Sequence, residues 1–209
     1  MGSRRKIVVE VIVPAPVQLV WERSQEPQQH TLWDIRFDDI RYLEEHDQKG
    51  FQQLDYRTSI GFGIIVQGFG RYLHSEPLKL STFEFDSRDW KSLITRGRGI
   101  WAYEPCSAGT RFKTVYDYDV RHGLFGRVVD WVLFRRLLQL ATEWSFETLR
   151  LWCQGDEGCL SRRRSRTRFL LFFAGRLLGR RPQPDEARSW LGTGNEFGSS
   201  PGKREGVAA

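Results

Sequence analysis

The sequence predicts an α+β domain in which a curved antiparallel sheet of seven strands wraps around one long C-terminal helix, in the order β-α-α-β6-α. Three observations carry this prediction. A β-branched segment opens the chain, six segments of alternating polarity follow it with short breaks between them, and residues 127–153 contain no glycine or proline. Short breaks favour antiparallel neighbours joined by hairpins, and a long unbroken stretch favours a helix.

The first strand covers residues 6–13, which are rich in valine and isoleucine. Pro14 and Pro16 stop this strand, and Pro16 suits the first turn of a short helix that runs through Trp21. Pro27 either ends that helix or starts another turn. The six later strands are predicted at residues 35–44, 51–59, 63–74, 80–87, 94–104 and 110–121. The last of them alternates most clearly between apolar and charged residues, as a half-buried strand does.

The composition excludes several classes of protein. The chain has 209 residues and 24.5 kDa, with 40% hydrophobic and 28% charged residues. These values are close to those of a soluble globular domain, and they exclude a wholly disordered chain, a fibrous repeat and a polytopic membrane protein. Three cysteines do not form a disulfide framework, and we see no secretory signal segment. We therefore predict a cytoplasmic protein, in peripheral contact with a membrane if its C-terminal segment binds lipid.

The charge is concentrated near the C-terminus. The net charge is +6, of which residues 1–153 contribute +1 and residues 154–209 contribute +5. Within the second part, residues 162–181 carry eight arginines and no acidic residue. We predict a balanced domain at 1–153, a basic amphipathic segment at 154–181 that forms a short helix, and a disordered tail at 182–209 that is rich in glycine, proline, serine and charge.

The order of elements resembles the helix-grip fold of the START-like superfamily, in its polyketide cyclase/dehydrase-like (SRPBCC) branch. The resemblance covers residues 5–153 and rests on Pro14–Trp21, Trp33-Asp34, the segment 97–101 and the block 134–152. It implies a sheet and a long helix that enclose an apolar cavity. Proteins of this superfamily bind lipids, sterols, polyketides, quinones or plant hormones, and a minority catalyse cyclisation or dehydration.

The resemblance implies a set of cavity residues on the inward faces of the strands and of the long helix. The candidates are Tyr56, Trp101, Tyr103, Tyr116, Tyr118, Val129, Leu133 and Leu140. Their phenol hydroxyls can orient a ligand, or each can pair with backbone in an ordinary core. Possible polar anchors are Asp34, Arg96 and Arg121. Asp34 can also serve as a helix cap or in a loop salt bridge. Because side chains alternate along a strand, Arg96 lies on the face opposite Trp101 unless a bulge intervenes near Gly97 or Gly99. Without such a bulge, Arg96 lies on the solvated outer face of the sheet.

The basic segment is a candidate for contact with an anionic membrane surface. The residues proposed to touch lipid are Arg164, Arg168, Phe169, Phe172, Phe173 and Leu177. The apolar part has ten residues, which is half of what a bilayer-spanning helix needs. It instead suits a helix lying in the interface. Two alternatives stay open, since the segment can dock on the wide apolar arc of the helix at 127–153 or have little function. Nucleic-acid binding is not favoured, because the main domain is nearly neutral.

Three hypotheses for function follow. No metal and no cofactor are predicted, because the four histidines have no acid or cysteine at metal-ligand spacing and no phosphate-binding loop is present. The first hypothesis is a module that binds an apolar or amphipathic small molecule, such as a lipid, polyketide or quinone. The second is a cyclase- or dehydratase-type enzyme, which a hydrogen-bonded Asp–Arg–Tyr set in the cavity would favour. The third is a ligand-free structural or interaction domain. The sequence does not reveal the oligomeric state.

Overall fold

A computed structural model describes residues 6–46, 49–59, 64–163 and 166–178. In chain order the helices and strands are β1 Ile7–Val13, α1 Val17–Gln25, α2 Pro27–Trp33, β2 Asp39–His46, β3 Gln52–Ser59, β4 Ile65–Glu76, β5 Leu80–Asp86, β6 Ile94–Cys106, β7 Gly109–Val120, α3 Gly123–Val129, a π-helical turn Asp130–Phe134, α4 Arg135–Cys153, α5 Gly158–Arg163 and α6 Arg166–Leu177. The predicted α+β fold is confirmed, and so is its order of one strand, two short helices, six strands and a long helix.

All seven strands form one antiparallel sheet in the order β1-β7-β6-β5-β4-β3-β2. Each neighbouring pair from β2 to β7 is consecutive in the chain, because the breaks are short enough only for hairpins. β1 lies beside β7, and its register pairs Ile7 with Tyr116 and Val13 with Thr110. The chain's first strand and its last strand are therefore neighbours, and helix α4 follows the last strand back across the inner face, packing against β1.

The core lies between the inner face of β1, β6 and β7 and the helices α1, α2 and α4. Aromatic rings fill much of it. Phe112 stacks on Phe146 of α4 with ring centroids 4.5 Å apart, and on Tyr103 at 4.8 Å. Trp101 and Trp33 are also buried. Stacked and edge-on rings bury large apolar areas, so this cluster fixes the sheet to the helices.

Two glycines on the inner face give neighbouring rings room to lie flat on the sheet. Gly97 pairs with Phe85 across β5 and β6, and an added Cβ at Gly97 would lie 2.1 Å from that ring. Gly68 stands in the same relation to Tyr56, also at 2.1 Å. Because the rings lie over glycine backbone, they project less far toward the helices.

The predicted β2 begins too early. Residues 35–38 form a turn rather than a strand, because the backbone N–H of Arg36 donates to Asp34 Oδ1 at 3.0 Å and the N–H of Phe37 donates to the Asp34 carbonyl at 3.3 Å. A short aspartate side chain that bonds the backbone two residues on is a common turn device. The strand therefore starts at Asp39.

The long helix begins earlier than the predicted residue 127. Gly123 starts α3, after His122 in the left-handed conformation with a φ of 66°. Gly126 lies inside the helix and not at a break, because the helix packs so closely on the preceding turn that an added Cβ would meet the Arg121 carbonyl oxygen at 1.8 Å. A π-helical turn at Asp130–Phe134 then joins α3 to α4.

Two short helices follow α4 and pack on the domain. Cys159 of α5 is fully buried in the main core, and its thiol lies 3.5 Å from the Thr148 carbonyl oxygen. Phe169 of α6 packs against Trp144 of α4 with ring centroids 5.8 Å apart. Packing on the domain therefore continues beyond the predicted boundary after residue 153. The predicted disordered tail, 182–209, lies outside the described residues.

Candidate functional site

The site centres on a buried aspartate and an arginine that leave the end of α2 together. Asp34 is the C-cap residue of α2 and is 0% exposed, and Arg36 lies in the turn that follows with its side chain 13% exposed. Arg36 donates from Nε to Asp34 Oδ1 at 2.9 Å and from Nη2 to Asp34 Oδ2 at 2.6 Å. This two-pronged arrangement is the strong form of an arginine–carboxylate pair.

Further donors complete the environment of the Asp34 carboxylate. Its Oδ2 lies 2.9 Å from His30 Nε2, one turn earlier in α2, and its Oδ1 lies 3.0 Å from Ser145 Oγ of α4. Burial by itself would raise the pKa of Asp34, but the charge and hydrogen bonds of Arg36 and the hydrogen bond from His30 hold that pKa far below its usual range. The carboxylate is therefore ionised and only accepts, so His30 Nε2 donates to it.

Arg36 is fixed on its other side by helix α4 and strand β7. Its Nη1 donates to Thr142 Oγ1 at 3.0 Å. Thr142 donates its own hydroxyl proton to the Leu138 carbonyl at 2.8 Å, so the hydroxyl of Tyr116, 2.8 Å away, donates to Thr142. Burial also raises the pKa of Tyr116, although the Arg36 charge opposes this, and the phenol stays protonated. Asp34, Arg36, Thr142 and Tyr116 thus form one chain of hydrogen bonds between α2, α4 and β7.

Half-buried aromatic rings extend from this polar group across the inner face of the sheet. The Arg36 guanidinium carbon lies 5.5 Å from the centre of the Phe37 ring, which meets Tyr56 edge-on at 5.5 Å. On the other side Tyr116 meets Phe85 at 6.4 Å, and Phe85 lies beside Phe83 at 6.1 Å. We call Phe37, Tyr56, Phe83 and Phe85 the inner aromatic surface. Each of the four is partly accessible, which differs from the fully buried core around Phe112.

A second polar group lies at the π-helical turn. Tyr118 donates to Asp130 Oδ1 at 2.6 Å, and Arg135 Nε lies 3.3 Å from Asp130 Oδ2. Burial and the neighbouring Asp130 carboxylate raise the pKa of Tyr118 well above its usual value. Two successive inward tyrosines of β7, Tyr116 and Tyr118, therefore each belong to an aspartate–arginine group. Isolated π-helical turns often occur where a helix serves a function.

Comparisons with known proteins agree with this architecture. The structure superposes on the aromatase/cyclase StfQ of the steffimycin biosynthetic pathway with a TM-score of 0.58 and 14% identity, over 73% of this chain and 51% of that one. It superposes on TTHA0849 of Thermus thermophilus with a TM-score of 0.57 and 17% identity, over 72% of this chain and 98% of that one. The chain has the helix-grip fold. At these identities the likeness establishes the fold alone.

A relative in sequence is also known for this chain. The uncharacterized membrane protein YndG of Bacillus subtilis is 37% identical over 159 residues, which is 74% of this chain and 59% of YndG. The chain thus spans about three fifths of that relative's length. No protein-family model matches the sequence. Within the residues that the structure describes, no helix is long and apolar enough to cross a membrane.

The helix-grip domain brings together most of the predicted strand residues. Trp101, Tyr103, Tyr116 and Tyr118 are all buried on the inner face, and Tyr56 lies half-buried beside them. The Tyr103 hydroxyl lies 2.7 Å from Ser24 Oγ and accepts from Gln25 at 2.8 Å, so it ties β6 to α1. The Tyr56 hydroxyl donates to the Asp86 carbonyl at 3.1 Å. The Tyr56 hydroxyl thus pairs with backbone, as the core-packing alternative expects, whereas the other three tyrosine hydroxyls pair with side chains.

The three cavity residues predicted on the long helix differ in how deeply they are buried. Leu140 is buried, Val129 is half-buried, and Leu133 is 44% exposed. Leu133 belongs to the π-helical turn, which changes the direction in which successive side chains point, so a prediction from a regular helix misplaces it.

Two of the three predicted anchors have other roles. Arg96 is 75% exposed on the outer face and pairs with Asp119 at 3.1 Å, which corrects its place in the predicted set. A β-bulge does lie between Thr95 and Arg98, with Arg96 at a φ of 46°, but it does not turn this side chain inward. Arg121 donates from Nη2 to the Ser87 carbonyl and joins the end of β7 to the loop after β5. Asp34 lies inside the domain, in the loop salt bridge that was the alternative for it.

The outer face of the sheet carries two open grooves. The larger, of about 590 Å³, is lined mainly by charged residues, which include Asp39, Arg41 and Arg57 of β2 and β3. The smaller, of about 470 Å³, lies over β4 to β6 and includes Arg71, Glu84 and Arg98. A row of opposite charges crosses these strands, and Glu84 accepts from both arginines. Within the described residues, no group of three or more metal-ligating side chains is close enough to hold a metal ion.

The predicted membrane residues lie mostly against the domain. Phe169 and Phe173 are buried, and Phe172 lies 5.1 Å from the Trp144 ring. These rings pack toward α4, as the docking alternative expects. Arg168 is exposed and Leu177 is 43% exposed. Arg164 lies outside the described residues.

Sequence reasoning missed Arg36, His30, Thr142 and Ser145. No role was predicted for His30, which pairs with Asp34 four residues later. One sequence signal could have indicated the helix partners. Thr142, Ser145 and Thr148 recur every third residue within the apolar side of α4, and all three are fully buried.

Proposed function

We propose that this START-like domain binds an apolar small molecule that carries a carbonyl oxygen, such as a quinone or a polyketide. The oxygen accepts from Arg36, and the apolar body lies on the inner aromatic surface. The observation that carries the proposal is the position of Arg36. Its guanidinium is held rigid by Asp34 and Thr142, is still 13% exposed, and touches both Phe37 and Tyr116. A few fixed polar groups beside an apolar lining are typical of ligand sites.

The charge of the pair favours a neutral oxygen over a full anion. Asp34 balances Arg36 through two hydrogen bonds of 2.9 and 2.6 Å, so the two together have no net charge. Asp34 and Thr142 use three of the five N–H donors of the guanidinium, and the Tyr116 hydroxyl interacts with it as well. A ligand carbonyl can accept from a donor that remains. A carboxylate would have to approach Asp34 closely, which low dielectric surroundings penalise.

The first test is native mass spectrometry of the protein from its own host, followed by denaturing extraction and identification of what is released. We expect a stoichiometric carbonyl-bearing apolar compound in the wild type, and its loss in Arg36→Met. Arg41→Met is the matched control, because Arg41 also follows an aspartate by two residues but is 75% exposed. An empty wild-type protein whose melting temperature ignores menadione and a lipid panel would overturn the proposal and favour a ligand-free domain.

A second candidate is a cyclase-type enzyme, which the hydrogen-bonded Asp34, Arg36 and Tyr116 set favours. Asp34 is a poor base there, since it accepts four side-chain bonds and its pKa is far below the usual range. Arg36 and Tyr116 would instead stabilise the oxygen of an enolate, and solvent water would take the α-proton. The likeness to the aromatase/cyclase StfQ is consistent with this candidate.

Deuterium exchange separates the two candidates. An enzyme should speed exchange of the α-protons of a bound β-diketone in D2O, and Tyr116→Phe should slow that exchange while binding persists. Binding without accelerated exchange would exclude the enzyme and support the binding function.

A further inference from the structure

The helix that precedes α4 is apolar on the side that faces away from the domain. Gly126 and Asp130 are buried on one side of α3 and the π-helical turn. On the opposite side the exposed fractions of Leu124, Phe125 and Trp131 are 77%, 74% and 75%. Val128 and Val132 complete this stripe, which we call the apolar ridge. Exposed contiguous apolar surface of this kind marks an interaction site.

The spacing shows that the ridge is one surface. Positions 124, 125 and 128 recur at three- and four-residue steps along one side of α3, and Trp131 and Val132 in the π-helical turn that follows are exposed as well. Since the other side already packs on the sheet, the ridge is surplus to the fold. Large side chains there cost solubility, and their contribution to the stability of the domain is small.

A basic rim surrounds the ridge. Residues 121–136 contain four arginines and one acidic residue, Asp130, which is buried and paired with Arg135. Arg127 and Arg136 are exposed, so the accessible charge is positive.

The apolar ridge continues toward the end of α6. Arg136 Nη2 donates to the Arg176 carbonyl at 3.2 Å, which brings the end of α6 beside the ridge. There Leu177 and Leu178 are 43% and 81% exposed and extend the apolar surface.

This chemistry selects a lipid surface over a second copy of the chain. A two-fold dimer through the ridge would bring two equal rims of arginines together, and like charges across an interface oppose association. An anionic bilayer offers the complement to both parts, since aromatic and aliphatic side chains enter the acyl boundary while arginines meet phosphate groups. We propose that the apolar ridge and its arginine rim dock this domain on an anionic membrane surface. The phenyl rings of α6 remain on α4 in this arrangement.

Vesicle co-sedimentation of the full chain tests the proposal. We expect binding to anionic vesicles of phosphatidylcholine with about 30% phosphatidylglycerol, and weak binding to phosphatidylcholine alone. The double variant Phe125→Asp with Trp131→Asp should reduce the partition coefficient about tenfold or more. Arg127→Gln should reduce it about fivefold. Trp90→Asp is the matched control, because Trp90 is 73% exposed in the loop between β5 and β6.

Three outcomes would overturn the proposal. In the first, the wild type ignores anionic vesicles. In the second, binding survives in the ridge variant but is lost in Leu170→Asp with Leu171→Asp, which would assign the contact to the outer side of α6. In the third, light scattering finds a wild-type dimer that the ridge variant converts to a monomer, which would assign the ridge to a second copy. An unchanged melting temperature shows that the ridge variant is folded, as expected for exposed positions.

Discussion

Replacing Asp34 with asparagine keeps the shape of the side chain and removes the charge that faces Arg36. The carboxylate is fully buried, and Arg36 donates to both of its oxygens. The variant therefore leaves a largely buried guanidinium without its counter-ion. Removing one partner of a buried ion pair costs about 3–5 kcal/mol of unfolding free energy, since the remaining charge is not solvated. We expect Asp34→Asn to lose a stability in that range at pH 7.

The pH dependence follows from the direction of the pKa shift. The folded-state pKa of Asp34 lies far below its unfolded value of about 3.9. Between those two values the unfolded chain binds a proton that the native state does not, so the stability contributed by Asp34 is complete above about pH 4 and falls as the pH drops. Each pH unit below this removes about 1.4 kcal/mol from the wild type but not from the variant. The difference in unfolding free energy between the wild type and Asp34→Asn should therefore become smaller below about pH 4.

Urea unfolding followed by tryptophan fluorescence at pH 7 and pH 3 measures both quantities. Asp39→Asn is the matched control, because Asp39 also pairs with an arginine two residues later but at the surface, where the loss should stay within about 1 kcal/mol. The double variant Asp34→Asn with Arg36→Met should recover part of the loss, since no unpaired charge remains. A decrease in unfolding free energy below about 1 kcal/mol at pH 7, which is the range of a surface pair, would refute the reasoning. A difference between wild type and Asp34→Asn that is as large at pH 3 as at pH 7 would refute it as well.

Three further predictions test packing. Gly97→Ala should lower the unfolding free energy by about 1–3 kcal/mol in urea, because its Cβ would lie 2.1 Å from the Phe85 ring, and a neutral result would contradict that contact. Phe169→Ala should expose α6 in hydrogen exchange and lose about 3 kcal/mol, whereas Leu171→Ala should change little, since Leu171 is 53% exposed. Burial raises the pKa of the Cys153 thiol, although Arg23 opposes this, so that thiol should react with DTNB at pH 8 more slowly than free cysteine.

The fold could be predicted because its signals are local. In β7 the alternation of Phe112, Thr114 and Tyr116 with charged residues fixes which face is inside, and neighbouring residues suffice to see it. The start of α3 could not be predicted in the same way. Gly126 normally suggests a break, and it is tolerated here because the turn at Arg121 packs against it. That contact exists only after the chain has folded.

The site could be predicted only in part, and two similar motifs show why. Asp34 and Arg36 have the same spacing as Asp39 and Arg41, yet the first pair is buried and the second is at the surface. Nothing within either motif separates them. The difference comes from α4, more than 100 residues later, whose hydroxyl groups meet the first pair and not the second.

The hydroxyl groups of α4 explain how a buried charge pair can be tolerated there. Thr142 donates its proton to the Leu138 carbonyl four residues earlier, at 2.8 Å. Because this proton is used within the helix, the Thr142 oxygen is left to accept, and it accepts from both Arg36 and Tyr116. An alanine at residue 142 would therefore remove an acceptor from two buried donors at once. Polar residues on the apolar side of a helix thus indicate a partner of matching chemistry across the core. Here that partner is the Arg36 guanidinium, which we propose binds the ligand.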